Sequence, residues 1–185
     1  MLENDVVRLE PIALHHAQAL AKAADDDRIW EMTQPRIRSV EDAQAYIQFA
    51  LDAQDQQAYA IFSKLHNEFV GATRFYTIET SFGSAEMGYT WLNPVAWRTP
   101  INTNVKYLMM IDAFEVRHFK RLQIMADTRN TRSRRAIERI GATFEGILRK
   151  HKFGADGAIR DSAVYSVVDD EWPQVKTHIE RLLTH

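Results

Sequence analysis

Between Tyr59 and Leu92 three segments with strand character follow one another with nothing but turn-forming residues between them. They are Tyr59 to Lys64, Phe69 to Thr77 and Glu86 to Leu92, separated by His66-Asn67-Glu68 and by Ser81-Phe82-Gly83-Ser84. Connections that short leave no room for a crossover helix, so neighbouring segments must run antiparallel. Helical patterns flank this meander. Ahead of it, Val6 to Leu9 reads as a short strand ended by Pro11, and Ile12 to Ala24 as a helix. A second helix starts at Ser39, with Asp42 three places on and Ala43, Tyr46, Ile47, Ala50 and Leu51 at helical spacing. Beyond the meander, Ile101 to Phe119 reads as a long helix and Leu122 to Thr128 as a strand. Asn130 to Ile140 is a shorter helix, with Asn130 as N-cap and Gly141 where a left-handed C-terminal cap belongs. Phe144 to Phe153 and Ile159 to Val168 form a hairpin across Asp156-Gly157, and a last helix lies near Glu171 to Leu183. The order β-α-α-β-β-β-α-β-α-β-β-α, with no repeat and no Pro-, Gly- or Ser-rich linker, predicts one mixed α/β domain over residues 1–185.

Composition narrows the chemistry. A chain of 185 residues that is 45% hydrophobic buries roughly 70% of its unfolded surface and needs no covalent staple. There is no cysteine, so thiolate nucleophiles, disulfides and cysteine-rich zinc sites are excluded, and a reducing compartment, the cytoplasm, is the expected address. Twenty-three Lys and Arg against 25 Asp and Glu give a net charge of -2, which argues against non-specific nucleic-acid binding by the whole molecule. Apolar runs such as Tyr107 to Ile111 fall far short of the ~18 residues of a membrane helix. Met1 to Glu10 has no basic region followed by an apolar stretch, so no secretory signal is expected. No metal is expected either, because His15 and His16 are adjacent and His118, His151 and His178 lack partners at ligand spacing.

Two strand-to-helix transitions, Leu92 to Asn102 and Thr128 to Ser133, follow the C-terminal ends of strands, where open α/β sheets bind ligands. Glu86-Met87-Gly88-Tyr89-Thr90-Trp91-Leu92-Asn93-Pro94, continued by Trp97-Arg98-Thr99-Pro100-Ile101-Asn102-Thr103-Asn104, resembles the acyl-CoA-binding motif of the GNAT N-acetyltransferases. The run from Asp127 through Asn130, Ser133 and Ile140-Gly141-Ala142 is similar to that family's second cofactor segment, an Asn-x-x-Ser helix ending in Gly and a small residue. Glu145-Gly146-Ile147-Leu148-Arg149, Arg160-Asp161-Ser162, Val164-Tyr165-Ser166-Val167 and Glu171-Trp172-Pro173 resemble the branch containing the ribosomal-protein alanine N-acetyltransferases.

The resemblance, spanning about residues 5 to 183, implies the GNAT acyl-CoA N-acyltransferase fold, a mixed and mostly antiparallel sheet flanked by helices. It implies an enzyme that moves an acetyl group from acetyl-CoA directly to a primary amine. In that fold the fourth strand diverges from the fifth, which leaves main-chain groups near Trp91 and Leu92 to bind pantetheine as another strand would. The following helix offers the amides of Ile101, Asn102 and Thr103 to the pyrophosphate, with Thr99 as N-cap, Pro100 at the first helical position and Arg98 adding charge. The family's loop carries two glycines, and Pro100 and Asn102 are read as standing at those positions. Asn130 and Ser133 share a helix face toward the cofactor, with Ser133 as general acid for the departing thiolate. Glu86, on the strand face of Gly88 and Thr90, is the candidate base that neutralises the amine, and Asp161 and Tyr165 are reserves. Two readings stay open beside these: Ser133 as a plain first-turn residue and Glu86 as a salt bridge. The acceptor alternatives are a protein N-terminus, a polyamine, an amino acid or an aminoglycoside. A non-catalytic domain of the same fold, binding CoA or RNA through the arginines between Arg129 and Arg139, is the rival from another class.

Overall fold

The computed structural model describes residues 1–184. Its strands are β1 (Leu2–Glu3), β2 (Val7–Pro11), β3 (Gln57–Ser63), β4 (Glu68–Glu79), β5 (Ser84–Leu92), β6 (Arg121–Asp127), β7 (Thr143–Phe153) and β8 (Ile159–Val168). The helices are α1 (Ala17–Ala23), α2 (Val40–Asp52), α3 (Ile101–Ile111), α4 (Thr131–Arg139) and α5 (Trp172–Leu183). All eight strands share one sheet in the order β1-β2-β3-β4-β5-β6-β8-β7. Every pairing is antiparallel except β5 with β6, and that exception has a cause in the chain: α3 is the crossover between them.

Alternation on the strands sends one set of side chains to each face. On one face the sheet presents Ala58, Ala60 and Ala72, and against this low surface lie Leu20 of α1 and Ala43 and Ile47 of α2. On the other face larger residues, among them Leu9, Ile61, Phe75 and Leu122, meet Val105, Met109 and Met110 of α3 and Ile179 of α5. Ile137 and Ile140, at the C-terminal end of α4, join that second cluster.

Local signals behave as expected where hydrogen bonds within a few residues decide. The Ser39 hydroxyl accepts the Asp42 amide at 3.1 Å, and the Asp42 carboxylate accepts the Arg38 amide at 2.8 Å. Asn130 caps α4 by accepting the Ser133 amide at 3.0 Å, and Gly141 takes φ 88 past the end of that helix. Such caps stabilise their helices by about 1 kcal/mol each. Three elements differ from expectation. The helix expected from Ile12 starts only at Ala17, after a single 3-10 turn at Leu14–His16 in which the His16 ring nitrogen takes the Ala13 amide at 3.0 Å. The long helix expected to reach Phe119 changes to a π turn at Asp112–Val116, and this wider turn sets Arg117 over buried Asp112 with a 2.6 Å ion pair. The first two-residue strand, β1, has no pattern of its own and exists through its pairing with β2.

Candidate active site

β5 and β6 pair only at Ser84 with Arg121, Ala85 with Leu122 and Glu86 with Gln123. Past that point they separate. The cause lies on the other side of β5, where Arg74 of β4 faces Gly88 and Ala72 faces Trp91, so β5 advances three residues while β4 advances two. Tyr89 absorbs the surplus in a left-handed conformation, φ 49, and a bulge of this kind bends and twists its strand. The bent end is held close: a Cβ on Gly71 would stand 2.0 Å from the Trp91 carbonyl oxygen. The wedge opened between the two strands is a cleft of about 1770 Å³, bounded by Thr90 and Trp91 on one side and Ala126 and Asp127 on the other. Asn102 of α3 and Ser133 of α4 stand at its rim, and the loop from Met32 to Ile37 and α2 close its opposite end.

The loop into α3 is folded back on β5. The Trp97 indole donates to the Leu92 carbonyl at 2.8 Å, and Asn93 donates to the Ala23 carbonyl at 2.9 Å. One lone pair of the Leu92 carbonyl is therefore already engaged by the protein itself. α3 begins at Ile101, as its helical pattern has it, with Pro100 and not Thr99 as N-cap. The reason is Thr99, whose hydroxyl donates to the Ala96 carbonyl at 2.7 Å and receives the Ile101 amide at 3.3 Å. That leaves the Asn102 and Thr103 amides without a partner among the described residues. Arg98 is exposed and adopts φ 59, so the backbone conformation that favours glycine falls at Arg98 and not at Pro100 or Asn102.

α4 is fastened to the loop and to α3 by its arginines. Arg132 lies 4.0 Å from the centre of the Trp97 ring, and Arg139 donates to the Thr103 hydroxyl. Thr103 is buried, with its side chain turned to that contact. Arg129 is committed elsewhere, to Asp127 at 2.8 Å and Asp156 at 2.7 Å. Arg134 donates to the Tyr165 hydroxyl at 3.0 Å. The basic helix is thus divided: Arg132, Arg135 and Arg139 line the cleft, while Arg129 and Arg134 hold structure. Ser133 lines the cleft too, half-buried, with its amide capped and its hydroxyl unpaired among the described residues.

Glu86 sits opposite Tyr76, with one carboxylate oxygen buried and without a partner. It does not line the cleft directly. Burial first, and then the neighbouring Glu86, push the Tyr76 phenol well above its usual range. The reserves lie apart from the site. The Tyr165 hydroxyl donates to Glu138 at 2.7 Å, and the Asp161 carboxylate accepts the Lys150 amide at 2.7 Å. Spacing along the chain also missed one convergence, in which Glu10, His15 and His16 place ligand-type atoms within 4.8 Å of one another. There Glu10 is paired with Arg8 at 2.7 Å and with His16 at 3.2 Å.

Residues 7–143 match the family model described as an acetyltransferase (GNAT) domain. The chain belongs to the GNAT acetyltransferases. A T. thermophilus protein assigned as an acetyltransferase has a crystal structure 36% identical to this chain, with a TM-score of 0.88 and coverage of 98% and 96% of the two chains. The uncharacterized N-acetyltransferase YoaA of Bacillus subtilis is 26% identical over 172 residues, 91% of this chain and 96% of YoaA. RimL, a ribosomal L7/L12 alpha-N-protein acetyltransferase solved in complex with coenzyme A, shares the fold at 20% identity, a TM-score of 0.79 and coverage of 90% and 96%. This GNAT chain is an N-acetyltransferase, and the fourth and fifth strands read from its sequence are β5 and β6, because the short β1 precedes them. Among the described residues no helix is long and apolar enough to cross a membrane.

Proposed function

We propose that the cleft binds acetyl-CoA and that its acetyl group passes directly to a primary amine without a covalent enzyme intermediate. The parting of β5 from β6 beyond Glu86 and Gln123 carries this reading, because it exposes a strand edge to an extended ligand bearing amides. The fold shared with RimL, which was solved with coenzyme A, supports it. The pyrophosphate belongs at the start of α3, on the Asn102 and Thr103 amides, where free donors and the positive end of the helix coincide. Arg98, Lys106, Arg132, Arg135 and Arg139 supply cationic charge around it.

In the transfer, the neutral amine attacks the thioester carbonyl and the carbon–sulfur bond breaks. The Ser133 hydroxyl donates its proton to the departing thiolate, and the proton released from the amine travels to Glu86. Because Glu86 stands back from the cleft, that proton moves through an intervening group or water. Proton exchange with solvent then restores the Ser133 hydroxyl and the Glu86 carboxylate. Calorimetry is expected to show one acetyl-CoA bound per chain, together with thiol release when an amine is present. No heat and no thermal protection at millimolar acetyl-CoA would overturn the reading.

A further inference from the structure

Arg74 lies in the middle of β4, fully buried, on the sheet face covered by α2. It faces the small Ala58 on β3 and Gly88 on β5, and the Tyr76 ring occupies the space above Gly88. Three aromatic rings surround the guanidinium, Tyr89 at 4.5 Å, Tyr46 at 4.7 Å and Phe49 at 5.8 Å. One amino group, Nη1, donates to the Gln56 side chain at 2.8 Å. The other edge, Nε with Nη2, has no partner, and no carboxylate pairs with Arg74 among the described residues. That edge is the planar fork whose two donors match the two oxygens of a carboxylate. A desolvated cation with half its donors unused is unfavourable, and the rings offset only part of the loss.

We infer that the acceptor is a small primary amine bearing a carboxylate, an amino acid in chemical class, and that Arg74 receives the carboxylate. This rests on the reading of the cleft as an acetyl-transfer site. Arg74, Phe49 and Tyr89 all line that cleft. Phe49 and Tyr89 are 57% and 37% exposed, so a change of rotamer in either outer ring uncovers the Nε–Nη2 edge. The surrounding charge agrees. Lys152 and Arg160 line the same end, where Asp42 already accepts the Arg38 amide and Glu86 stands behind the cleft wall. Polyamines and aminoglycosides would bring several positive charges against this field. Size agrees as well, because Gln34 of the α1–α2 loop donates to the Gly154 carbonyl in the β7–β8 turn and roofs this end against a polypeptide. Arg74 faces Gly88, and Glu86 lies two residues earlier on the same face, roughly 7 Å along the strand. A short amino acid whose carboxylate meets Arg74 therefore places its amine beside Tyr76, whose ring lies over Gly88 and opposite Glu86.

The test measures thiol release from acetyl-CoA with the free amino acids, their carboxamides, a hexapeptide with a blocked C-terminus, O-phosphoethanolamine, spermidine and kanamycin. At least one free amino acid is expected to exceed its carboxamide about a hundredfold in kcat/KM, because the amide leaves the fork unpaired. Arg74→Gln is expected to raise KM for that amino acid by about thirtyfold while acetyl-CoA affinity holds within about twofold, and Arg74→Lys to recover part of the loss. Equal turnover of carboxamides, the blocked peptide or the cationic amines overturns the inference, as does preference for O-phosphoethanolamine. Binding of acetyl-CoA with no amino acid acetylated overturns it and leaves the donor reading intact; failure to bind acetyl-CoA at all fells both. The panel on the unaltered chain decides the matter even if an Arg74 variant fails to fold.

Discussion

Lys106 shows what one residue can hide in a sequence. It lies in α3 at 7% exposure, lining the cleft, with no carboxylate partner among the described residues. Burial, and then nearby Arg139, press its pKa down to about 8. The unfolded chain holds the proton up to its ordinary value of 10.5, so the folded state is penalised wherever both states are protonated. That penalty, on the order of 3 kcal/mol, is complete below pH ~8 and fades as pH rises toward the unfolded value. Denaturant titrations are therefore expected to show the ligand-free protein gaining stability between pH 8 and 10 relative to Lys106→Met. A phosphate beside the amine reverses the bias, so acetyl-CoA binding near pH 9 is expected to take up a proton. Calorimetry in two buffers of different ionisation heat reads that uptake directly. At the chemical step, Ser133→Ala is expected to lower turnover by about ten- to a hundredfold with little change in acetyl-CoA affinity, since a proton given only to the leaving thiolate acts in the transition state. An unchanged turnover number would return Ser133 to the role of a helix residue. Glu86→Gln is expected to flatten the acidic limb of the pH–rate profile, and a retained limb would assign the proton to another acceptor.

At the scale of elements, legibility followed the range of the deciding interaction. Caps at Ser39 and Asn130 and the left-handed Gly141 were readable because a side chain or a missing Cβ settles them within three or four residues. The register of β4 on β5 was not, since the bulge at Tyr89 depends on how two distant strands twist together. Arg98 defeated the reading of the phosphate loop for a related reason: a left-handed arginine carries no mark in the sequence, so the glycine positions were placed at Pro100 and Asn102. Of the residues that line the cleft, Ser133 and Asn102 are singled out by the family pattern, whereas Arg74 is not, although a single charge inside the apolar run Phe69 to Thr77 is visible in the sequence. Arg98 also permits a clean separation of backbone from charge. Arg98→Gly is expected to raise stability by about 1 kcal/mol by relieving the left-handed strain, while Arg98→Ala leaves stability nearly unchanged. Both remove the guanidinium, so both are expected to weaken acetyl-CoA binding, most at low salt. Pro100→Gly is expected to change that affinity by less than about tenfold, because Pro100 is the N-cap and its missing amide costs the helix nothing.

The whole molecule carries a net charge of -2, and its cleft is nevertheless basic. Composition counts charges without placing them, so a near-balanced chain conceals a segregated one. Lys106, Arg132, Arg135 and Arg139 line the cleft, while Asp127, which also lines it, is paired with Arg129. Walls of low dielectric around such a cluster concentrate its field, which favours a polyanion entering from solution. Ligand linkage gives the size of the effect. At a hundred times the dissociation constant, acetyl-CoA is expected to stabilise the fold by about 2.7 kcal/mol, a rise in Tm of roughly 5–10 °C for a chain of this length. The origin of that stabilisation is separable with S-acetylpantetheine, which keeps the thioester and the pantetheine amides but lacks the nucleotide phosphates. If the strand edge holds pantetheine while the basic rim holds phosphate, raising salt from about 50 to 500 mM weakens acetyl-CoA binding steeply and leaves S-acetylpantetheine binding nearly flat, as the Debye length shrinks below the spacing of the charges. Equal salt slopes for the two ligands would mean that the arginines of α4 serve the protein's own structure and that the phosphates are held by the α3 amides alone.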